Sequence, residues 1–403
     1  MKKHLLGTTA LVAAGLFGLV DTAAAQTKVM PIQVSVGGYW GEFVSYTTQD
    51  DRGSTTSQVA NATSGKLTQF DEWSDKEIHF NGRTTLDNGL TLGFRLELEG
   101  NTDATDQIDE TFMFIEGRFG RMELGSLNNV QYRMGYNAPE AQTRPWSNEG
   151  NIFNVLANPT GSPAFDSMLG TTRSRFFDND SEKINYYTPR FEGFQFGVSY
   201  IPNSAQDRNG GPDPISNAYS RGWAAAANFV RTFGAFDIAA SGGYMRWQGP
   251  ELTPTTSAPN PDQWNVGLQL GYAGFKVGGS YGKIKDGRGG ASGLASAAST
   301  AGTALTRIDG SAWDAGVMYT FGPAAVSLNY INGKNDDCPV SGSATCSGDD
   351  KFSMLSLAGK YTLGPGVSLE ANLWTAKLRG NDPTTDTDSN KGNGGVVGVV
   401  LVF

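Results

Sequence analysis

Apolar and polar residues alternate with a period of two along most of the chain that follows Ile32. In LTLGFRLELEG, positions 92, 94, 96 and 98 are Leu, Phe, Leu and Leu, whereas positions 95, 97 and 99 are Arg, Glu and Glu. This alternation is typical of a half-buried β-strand. It recurs in EIHFNGRTTL, EKINYYTP and VSLEANLW. The pattern therefore predicts an all-β fold in which each strand has one polar and one apolar face.

Short turn signals divide these strands into pairs. Six aromatic-and-glycine turns and one Asn-Gly hairpin signal are centred on Asn88, Gly120, Gly193, Gly234, Gly274, Gly322 and Gly364. Most intervals between them leave room for two strands and one long polar loop, so seven turns separate eight strand pairs. The sixteen predicted strands are residues 33–48, 76–86, 90–100, 109–117, 121–127, 182–189, 194–202, 222–232, 235–247, 263–272, 275–285, 311–320, 324–334, 351–362, 367–378 and 395–403.

Three architectures compete for these strands. The length permits two soluble domains, and a repeat near 40 residues also suits a propeller or solenoid. However, charged residues stand inside the strands on the face away from the aromatics, and aromatic residues bracket the short turns, as Phe233 and Phe236 do. This arrangement favours a polar lumen with an apolar exterior. We therefore predict a 16-stranded antiparallel transmembrane β-barrel, closed because lipid leaves no backbone group unpaired.

The apolar end of the chain, VVGVVLVF, is the candidate closing strand. Its residues 397, 399, 401 and 403 are placed toward lipid, and Gly398, Val400 and Val402 inward. Closure of this strand onto the first one removes both edges of the sheet. One barrel then uses the whole of residues 26–403.

The first 25 residues have the order of a secretory signal peptide. Two lysines precede a short apolar run, and Ala23-Ala24-Ala25 forms a small-residue cleavage site. Removing residues 1–25 takes away Lys2, Lys3 and Asp21, so the formal charge changes from −9 to −10. The chain is therefore expected to be acidic and exported.

The remaining composition excludes other classes. With 53 Gly and an aromatic content of 11%, the chain is too aromatic to be disordered and too rich in glycine to be mainly helical. The two cysteines, Cys338 and Cys346, close a small polar loop and predict a disulfide in an exported protein. A metal site is the alternative, but two thiols without a nearby His form an incomplete ligand set, so no metal is expected.

Several features together make the chain similar to the Gram-negative general diffusion porins. They are the signal peptide, VGGYWGEFVSY in the first strand, KINYYTPRFEGFQFGVSY midway, the seven short turns and the last strand ending in Phe403. The resemblance covers residues 26–403. It implies a homotrimer in the bacterial outer membrane through which ions and small hydrophilic solutes diffuse. It also implies that Phe403 is the signal read by the barrel assembly machinery.

The longest interval, 73 residues from Gly120 to Gly193, places extra length in the third long loop, residues 128–181. In porins the third loop folds inward and narrows the lumen, so the resemblance implies a constriction here. An exposed loop or surface receptor site is the alternative.

A selective constriction requires fixed charges. Strand alternation places three basic residues on lumen faces. The acid of APEA matches the acidic residue of the porin loop motif, although the aromatic-Gly pair that follows this acid in porins is absent here. Two further loop acids are secondary candidates. The predicted constriction residues are Arg83, Arg95, Lys183, Glu140, Glu149 and Asp166. Each could equally be a solvated lumen charge without special influence.

The acidic charge favours mild cation selectivity. A substrate-specific channel and a surface receptor or adhesin barrel remain alternatives. An enzyme is not expected, because His4 leaves with the signal peptide, His79 stands alone on a strand, and no catalytic motif accompanies it. The Asp336-Asp337 and Asp349-Asp350 pairs could bind divalent cations with lipopolysaccharide, or be solvated. No cofactor and no nucleic-acid partner are expected.

Overall fold

The computed structural model describes residues 31–50, 68–100, 107–143, 152, 155–157, 180–204, 219–253, 256–257, 259–288, 306–339, 349–380 and 389–403. The predicted signal peptide, residues 1–25, lies outside this part of the chain. So do Glu149, Asp166 and Cys346, and only the backbone of Cys338 is described.

Sixteen strands of the described chain form one closed barrel, and every neighbouring pair is antiparallel. The strands are β1 Gln33–Gln49, β2 Phe70–Thr85, β3 Thr91–Glu99, β4 Ile108–Gly117, β5 Gly120–Ser126, β6 Glu182–Tyr187, β7 Phe194–Asn203, β8 Ser220–Phe233, β9 Phe236–Gln248, β12 Asp262–Tyr272, β13 Phe275–Arg288, β14 Thr306–Phe321, β15 Ala324–Pro339, β16 Asp349–Gly364, β17 Val367–Arg379 and β18 Ser389–Val402. Two short strands, β10 Glu251–Thr253 and β11 Thr256–Ser257, form a separate hairpin between β9 and β12. The predicted fold class is confirmed, and each predicted strand overlaps an observed one; the β10–β11 hairpin was not predicted.

One short helix, α1 Val130–Arg133, follows β5. No helix in the described part of the chain is long and apolar enough to span a membrane.

The barrel closes where the last strand pairs with the first. Strand β18 runs antiparallel to β1, with Leu401 opposite Trp40 and Val397 opposite Val44. The pairing continues to the final residue, because Gly38 N donates to Phe403 O at 3.0 Å and Phe403 N donates to Gly38 O at 3.1 Å. The sheet thus has no free edge along these residues, which is the condition for a sheet in lipid.

The two faces of the wall differ as the alternation predicts. Along β17, Ser368, Glu370 and Asn372 are buried inside the barrel, whereas Leu369 and Leu373 are exposed on the outside. The outer face is apolar because it meets lipid chains, and the inner polar groups find partners within the barrel. In β18, positions 397, 399 and 401 face outward as predicted.

Aromatic residues form two rows on the outside of the barrel. Near the short turns, Phe236 stacks on Tyr272 at 4.5 Å and Phe275 on Tyr319 at 4.2 Å between ring centroids. At the other end, the pairs Trp223–Tyr244, Trp264–Tyr281 and Trp313–Tyr330 are each 5.3 Å apart. On β12, Trp264 and Tyr272 are separated by about 27 Å of strand at ~3.4 Å per residue. With the strand tilted, this spacing suits an apolar band of about 25 Å; the sequence predicted only the row at the turns.

The last short turn is centred two residues later than predicted. Gly366, not Gly364, has the positive φ of +71°, and it follows Pro365 as in a type II turn. A Cβ at Gly366 would lie 2.2 Å from the carbonyl oxygen of Val402 on β18, whereas a Cβ at Gly364 would meet nothing within 4 Å.

We predict that Gly366→Ala destabilises the barrel and that Gly364→Ala does not. The left-handed backbone alone costs an Ala about 1–2 kcal/mol, and the contact with Val402 adds to this cost. Urea unfolding of the detergent-refolded protein, followed by tryptophan fluorescence, measures the difference. Equal midpoints for the two variants would contradict the prediction.

Candidate functional site

The third loop enters the barrel through α1, directly after β5. Asn129 caps the helix, since its side chain accepts a hydrogen bond from Tyr132 N at 3.1 Å. The helix is fixed to the inner wall by Val130 N, which donates to Ser199 Oγ of β7 at 3.0 Å. On the same helix, Gln131 Nε2 donates to Asn265 Oδ1 of β12 at 3.1 Å. The short helix therefore lies against inward-facing polar side chains.

Beyond the helix, the loop backbone follows the inner wall from strand to strand. Its N–H groups donate to side chains of four successive parts of the wall: Tyr136 N to Ser241 Oγ of β9 at 2.9 Å, Ala138 N to Asp314 Oδ1 of β14 at 3.1 Å, Ala141 N to Ser327 Oγ of β15 at 3.0 Å, and Thr143 N to Glu370 Oε1 of β17 at 3.1 Å. Wall amides complete the set, because Asn329 Nδ2 donates to Pro139 O at 2.8 Å. An irregular backbone inside a barrel needs such partners, and the polar inner face of the strands supplies them.

A later part of the loop reaches the wall where the barrel closes. Ala157 N donates to Gln49 Oε1 of β1 at 3.0 Å, and Asn390 Nδ2 of β18 donates to Ala157 O at 2.7 Å. The described segments of the loop thus contact the inner wall from β6 round to β1.

Two apolar clusters add to these hydrogen bonds. Ile152 and Leu156 of the loop are fully buried in a cluster with Phe43, Trp374 and Val400 of the wall. Val130 and Met134 occupy a second cluster that includes Trp247. The inward-facing Val400, which is unusually apolar for a lumen position, belongs to the first cluster and is only 1% exposed.

The inner face of β2 to β5 carries an ionic network. Arg121 Nε lies 2.7 Å from Glu123 Oε1, and Arg133 Nη1 of α1 lies 2.8 Å from Glu123 Oε2. The Glu123 side chain is only 1% exposed, whereas those of Arg121 and Arg133 are 29% and 34% exposed. One buried carboxylate thus holds two half-exposed guanidinium groups, one from the wall and one from the loop.

A second part of the network involves Arg95. Its Nε pairs with Glu97, and its Nη2 lies 2.9 Å from His79 Nδ1. The other imidazole nitrogen, Nε2, lies 2.8 Å from Glu77 Oε2. Arg95 is 36% exposed, but Glu77 and Glu97 are 8% exposed. Here too the acids lie behind the basic group.

The predicted site residues occupy different positions. Arg95 belongs to the network just described. Arg83 is on the inner face opposite Gln33, exposed, near the short turn after β2. Lys183 also points inward, but it is buried and donates to the carbonyl groups of Leu127 and Ser181. It therefore holds the start of the loop and does not present its charge to the lumen.

Glu140 lies half-buried in the loop segment between the anchored Ala138 and Ala141. Glu149 and Asp166 lie outside the described residues.

Six residues of the network were not among the predicted site residues. They are Glu77, His79, Glu97, Arg121, Glu123 and Arg133. Arg121 and Glu123 lie two residues apart on one strand face in RMELG, so the period-two alternation could have identified this pair. Arg133 could not be identified in this way, because a four-residue helix leaves no periodic signal.

A polar cavity lies between α1 and the short turns. Its volume is about 590 Å³, and it is lined by Arg121, Arg133, Arg190, Tyr136 and Asn228 among others. The Arg121 guanidinium also stacks over the Phe114 ring at 3.8 Å. The space beside the loop is therefore lined mainly by polar groups and is rich in fixed donors.

The donor atoms of Glu77, His79 and Glu97 lie within 4.8 Å of one another, which is close enough to hold a metal ion. However, both imidazole nitrogens are already engaged, by Glu77 and by Arg95. A metal ligand normally directs its second N–H at an acceptor, and an arginine cannot accept. The geometry is that of a hydrogen-bonded network.

Asp180, at the far end of the loop before β6, is buried. Burial, with the nearby charges of Asp109 and Glu110, raises the pKa of its carboxyl to about 8. Asp180 is therefore largely protonated at neutral pH, which removes one negative charge from the wall.

A closed barrel with an apolar outer face and a polar inner face defines the class of transmembrane β-barrels. Two solved structures share the fold. An outer membrane protein of Vibrio cholerae, OmpT in its trimer form, has a TM-score of 0.57 at 12% identity, covering 92% of this chain and 99% of its own. The outer membrane channel DcaP of Acinetobacter baumannii has a TM-score of 0.57 at 14% identity, covering 92% of this chain and 97% of its own.

A family model described as Gram-negative porin matches residues 7–381, and the chain belongs to that family. Among relatives, an outer membrane porin protein of Bordetella pertussis is 23% identical over 329 residues, which are 74% of this chain and 80% of that protein. A Rickettsia typhi protein without an assigned function is 23% identical over 82% of this chain and 84% of its own. The predicted resemblance and the outer-membrane location are confirmed, and the family supports a diffusion channel.

The contact of the loop with β17 can be tested directly. Glu370 is buried, accepts from Thr143 N at 3.1 Å and lies 3.6 Å from Lys360 Nζ. We predict that Glu370→Ala frees this part of the loop, so that single-channel conductance in planar bilayers rises and current noise increases. Glu192→Ala is the matched control, since it breaks an exposed ion pair with Arg231 at a turn. Identical traces for the two variants would refute the anchoring role.

Proposed function

We propose that the protein is a passive diffusion channel for ions and small hydrophilic solutes, and that residues 128–181 narrow its lumen. The observation that supports this most is the chain of loop hydrogen bonds to β7, β9, β14, β15 and β17. A loop held in this way occupies the interior of a barrel that 16 strands would otherwise leave wide. The free passage then lies along the ionic wall of β2 to β5.

The constriction we propose combines predicted and newly found residues. Arg95, Arg121 and Arg133 present half-exposed guanidinium groups along the passage. Arg83 lies at the exit near the short turns, and Glu140 contributes the acid of the loop. Glu149 and Asp166 remain candidates from the sequence alone. Lys183 is proposed as an anchor of the loop and not as a pore charge.

We propose mild cation selectivity for this passage. The inner face of β2 to β5 carries more acids than bases among the described residues. The acids are Asp71, Asp75, Glu77, Glu97, Glu99, Asp109, Glu110, Glu116 and Glu123, and the bases are Arg83, Arg95 and Arg121. The net charge of the chain, −9, has the same sign. Fixed negative charge around a narrow aqueous path raises the local concentration of cations.

The selectivity gives a prediction for a potassium chloride gradient across a planar bilayer. The reversal potential should give a potassium-to-chloride permeability ratio above one. Glu116→Gln removes a half-exposed acid of the inner wall and should lower that ratio, whereas Glu192→Gln, at an exterior turn, should leave it unchanged. A wild-type channel that prefers chloride would overturn the proposal.

A substrate-specific channel is the second candidate. The cavity of about 590 Å³ between α1 and the turns, with its three arginines and Tyr136, favours this reading. Concentration-dependent block of the current by an added sugar or phosphate would indicate such a site. Ohmic conduction that solutes leave unperturbed would indicate general diffusion.

We also propose that the channel assembles as a homotrimer. On the outward face, Lys76 Nζ pairs with Glu42 Oε1 at 2.8 Å and lies over the Trp40 ring at 4.6 Å. Charges that face lipid are destabilising near the bilayer midplane, and a neighbouring copy would cover them. An apolar outer groove of about 690 Å³ on β2 to β5, which includes Phe80, Phe94 and Met113, lies beside them.

The remaining sequence expectations stay proposals. They comprise cleavage after residue 25, a disulfide between Cys338 and Cys346, contacts with lipopolysaccharide, recognition by the barrel assembly machinery and the lack of enzymatic activity.

The assembly role of Phe403 can be separated from stability. Its side chain is 58% exposed, and the bonds that fix it to Gly38 use backbone atoms only. We predict that Phe403→Ala lowers the amount of heat-modifiable barrel in the outer membrane several-fold, with export intact. Refolding into detergent should proceed nearly as in the wild type, since more than half of the residue is exposed and its backbone bonds are kept. Phe403→Tyr, which keeps the terminal aromatic ring, is the control; normal assembly of Phe403→Ala would refute the signal.

A further inference from the structure

His79 lies at a junction of three strands in the inner wall. Its Nε2 is 2.8 Å from Glu77 Oε2 on β2, and its Nδ1 is 2.9 Å from Arg95 Nη2 on β3. The Tyr39 ring of β1 contacts the imidazole edge-on, 6.2 Å between centroids. The side chain is 13% exposed, so water reaches it.

These partners fix where the imidazole carries its proton. A guanidinium group has only N–H donors, so Nδ1 has to accept the bond from Arg95. The proton is then on Nε2, which donates to Glu77. The observed arrangement therefore requires a neutral imidazole.

We propose that protonation of His79 releases the Nη2 end of Arg95 from the wall and makes the lumen less cation-selective. The inference rests on the proposed channel function. An imidazolium has N–H groups on both nitrogens, so its Nδ1–H would face the Arg95 N–H group, and two positive charges would adjoin. The bond from Nε2 to Glu77 is unaffected, so the imidazolium keeps its place and Arg95 moves.

Arg95 can move without leaving its other partner. It is 36% exposed, and its Nε stays paired with Glu97 while the Nη2 end turns toward the lumen water. Protonation thus adds one positive charge at His79 and brings the positive charge of Arg95 closer to the passage. Both effects act in the same direction on ion selectivity.

Charged groups of four strands and of α1 surround His79 and its partners. Several titratable groups of β1, β2, β3, β4 and α1 face His79 or its partners. They are Tyr39, Asp75, Glu77, Arg95, Glu97, Glu99, Asp109, Glu110 and Arg133. Six of these are acids and two are basic, so an imidazolium at position 79 would have acids as well as Arg95 beside it.

Reversal potentials in a potassium chloride gradient, recorded at several values between about pH 5 and pH 8 where imidazoles titrate, test the switch. The potassium-to-chloride permeability ratio of the wild type should fall as the pH falls. His79→Gln should retain only the smaller response of other groups such as Asp180, because the amide oxygen can accept from Arg95 and its NH₂ can donate to Glu77 at every pH in this range. Full pH dependence in His79→Gln would overturn the proposal.

Arg95→Gln separates release of the arginine from the charge of the imidazole itself. We expect this variant to retain less than the wild-type response. A response as large as that of the wild type would show that Arg95 does not move.

A second measurement does not depend on conduction. The chain has two histidines, and His4 lies in the predicted signal peptide, so ¹⁵N-histidine labelling of protein refolded without residues 1–25 reports His79 alone. The Nε2–H tautomer is expected at high pH, converting to imidazolium at low pH. An Nδ1–H tautomer at high pH would overturn the proposal, whereas the expected tautomer in a protein that does not conduct would refute only the channel function.

Discussion

The pairing of β18 with β1 is the contact on which the rest of the structure depends. Within lipid, each backbone N–H and C=O group has to be satisfied by the protein itself. The ladder from Gln49 to Tyr39, extended by the two bonds between Gly38 and Phe403, satisfies both terminal strands. Once the sheet is closed, each strand has an outside that meets lipid and an inside that meets water, and the period-two sequence follows from that division.

The interior imposes the second constraint. A loop inside the barrel has lost part of its contact with water, so its backbone groups need partners on the wall. Ser199, Ser241, Asp314, Ser327 and Glu370 supply them from five strands. Polar residues on the inner face of β7 to β17 therefore fix the path of the loop by hydrogen bonding to its backbone. The inner face of β2 to β5 instead carries the partly exposed arginines.

The sequence predicted strands and turns well because each rests on a local pattern. Errors of five or six residues occur where strands meet the long loops, as at Phe70, Thr306 and Ser389, because strands continue there into polar segments without apolar alternation. The network was less predictable, since it depends on which strands are neighbours and in what register. Lys183 has the alternation of a lumen residue, yet only the path of the loop shows that it is covered.

Glu123 shows why loop position and lumen charge cannot be set independently. A carboxylate that is 1% exposed requires charged partners, and it takes one from β5 and one from α1. Arg133 is thereby both the tie of the helix to the wall and a half-exposed charge in the passage. A neutral residue in place of Arg121 or Arg133 would leave Glu123 with too few charged partners. It would loosen the contact of α1 with the wall and also change the charge of the passage. The geometry of the constriction and its electrostatics are consequently two results of the same ion pairs.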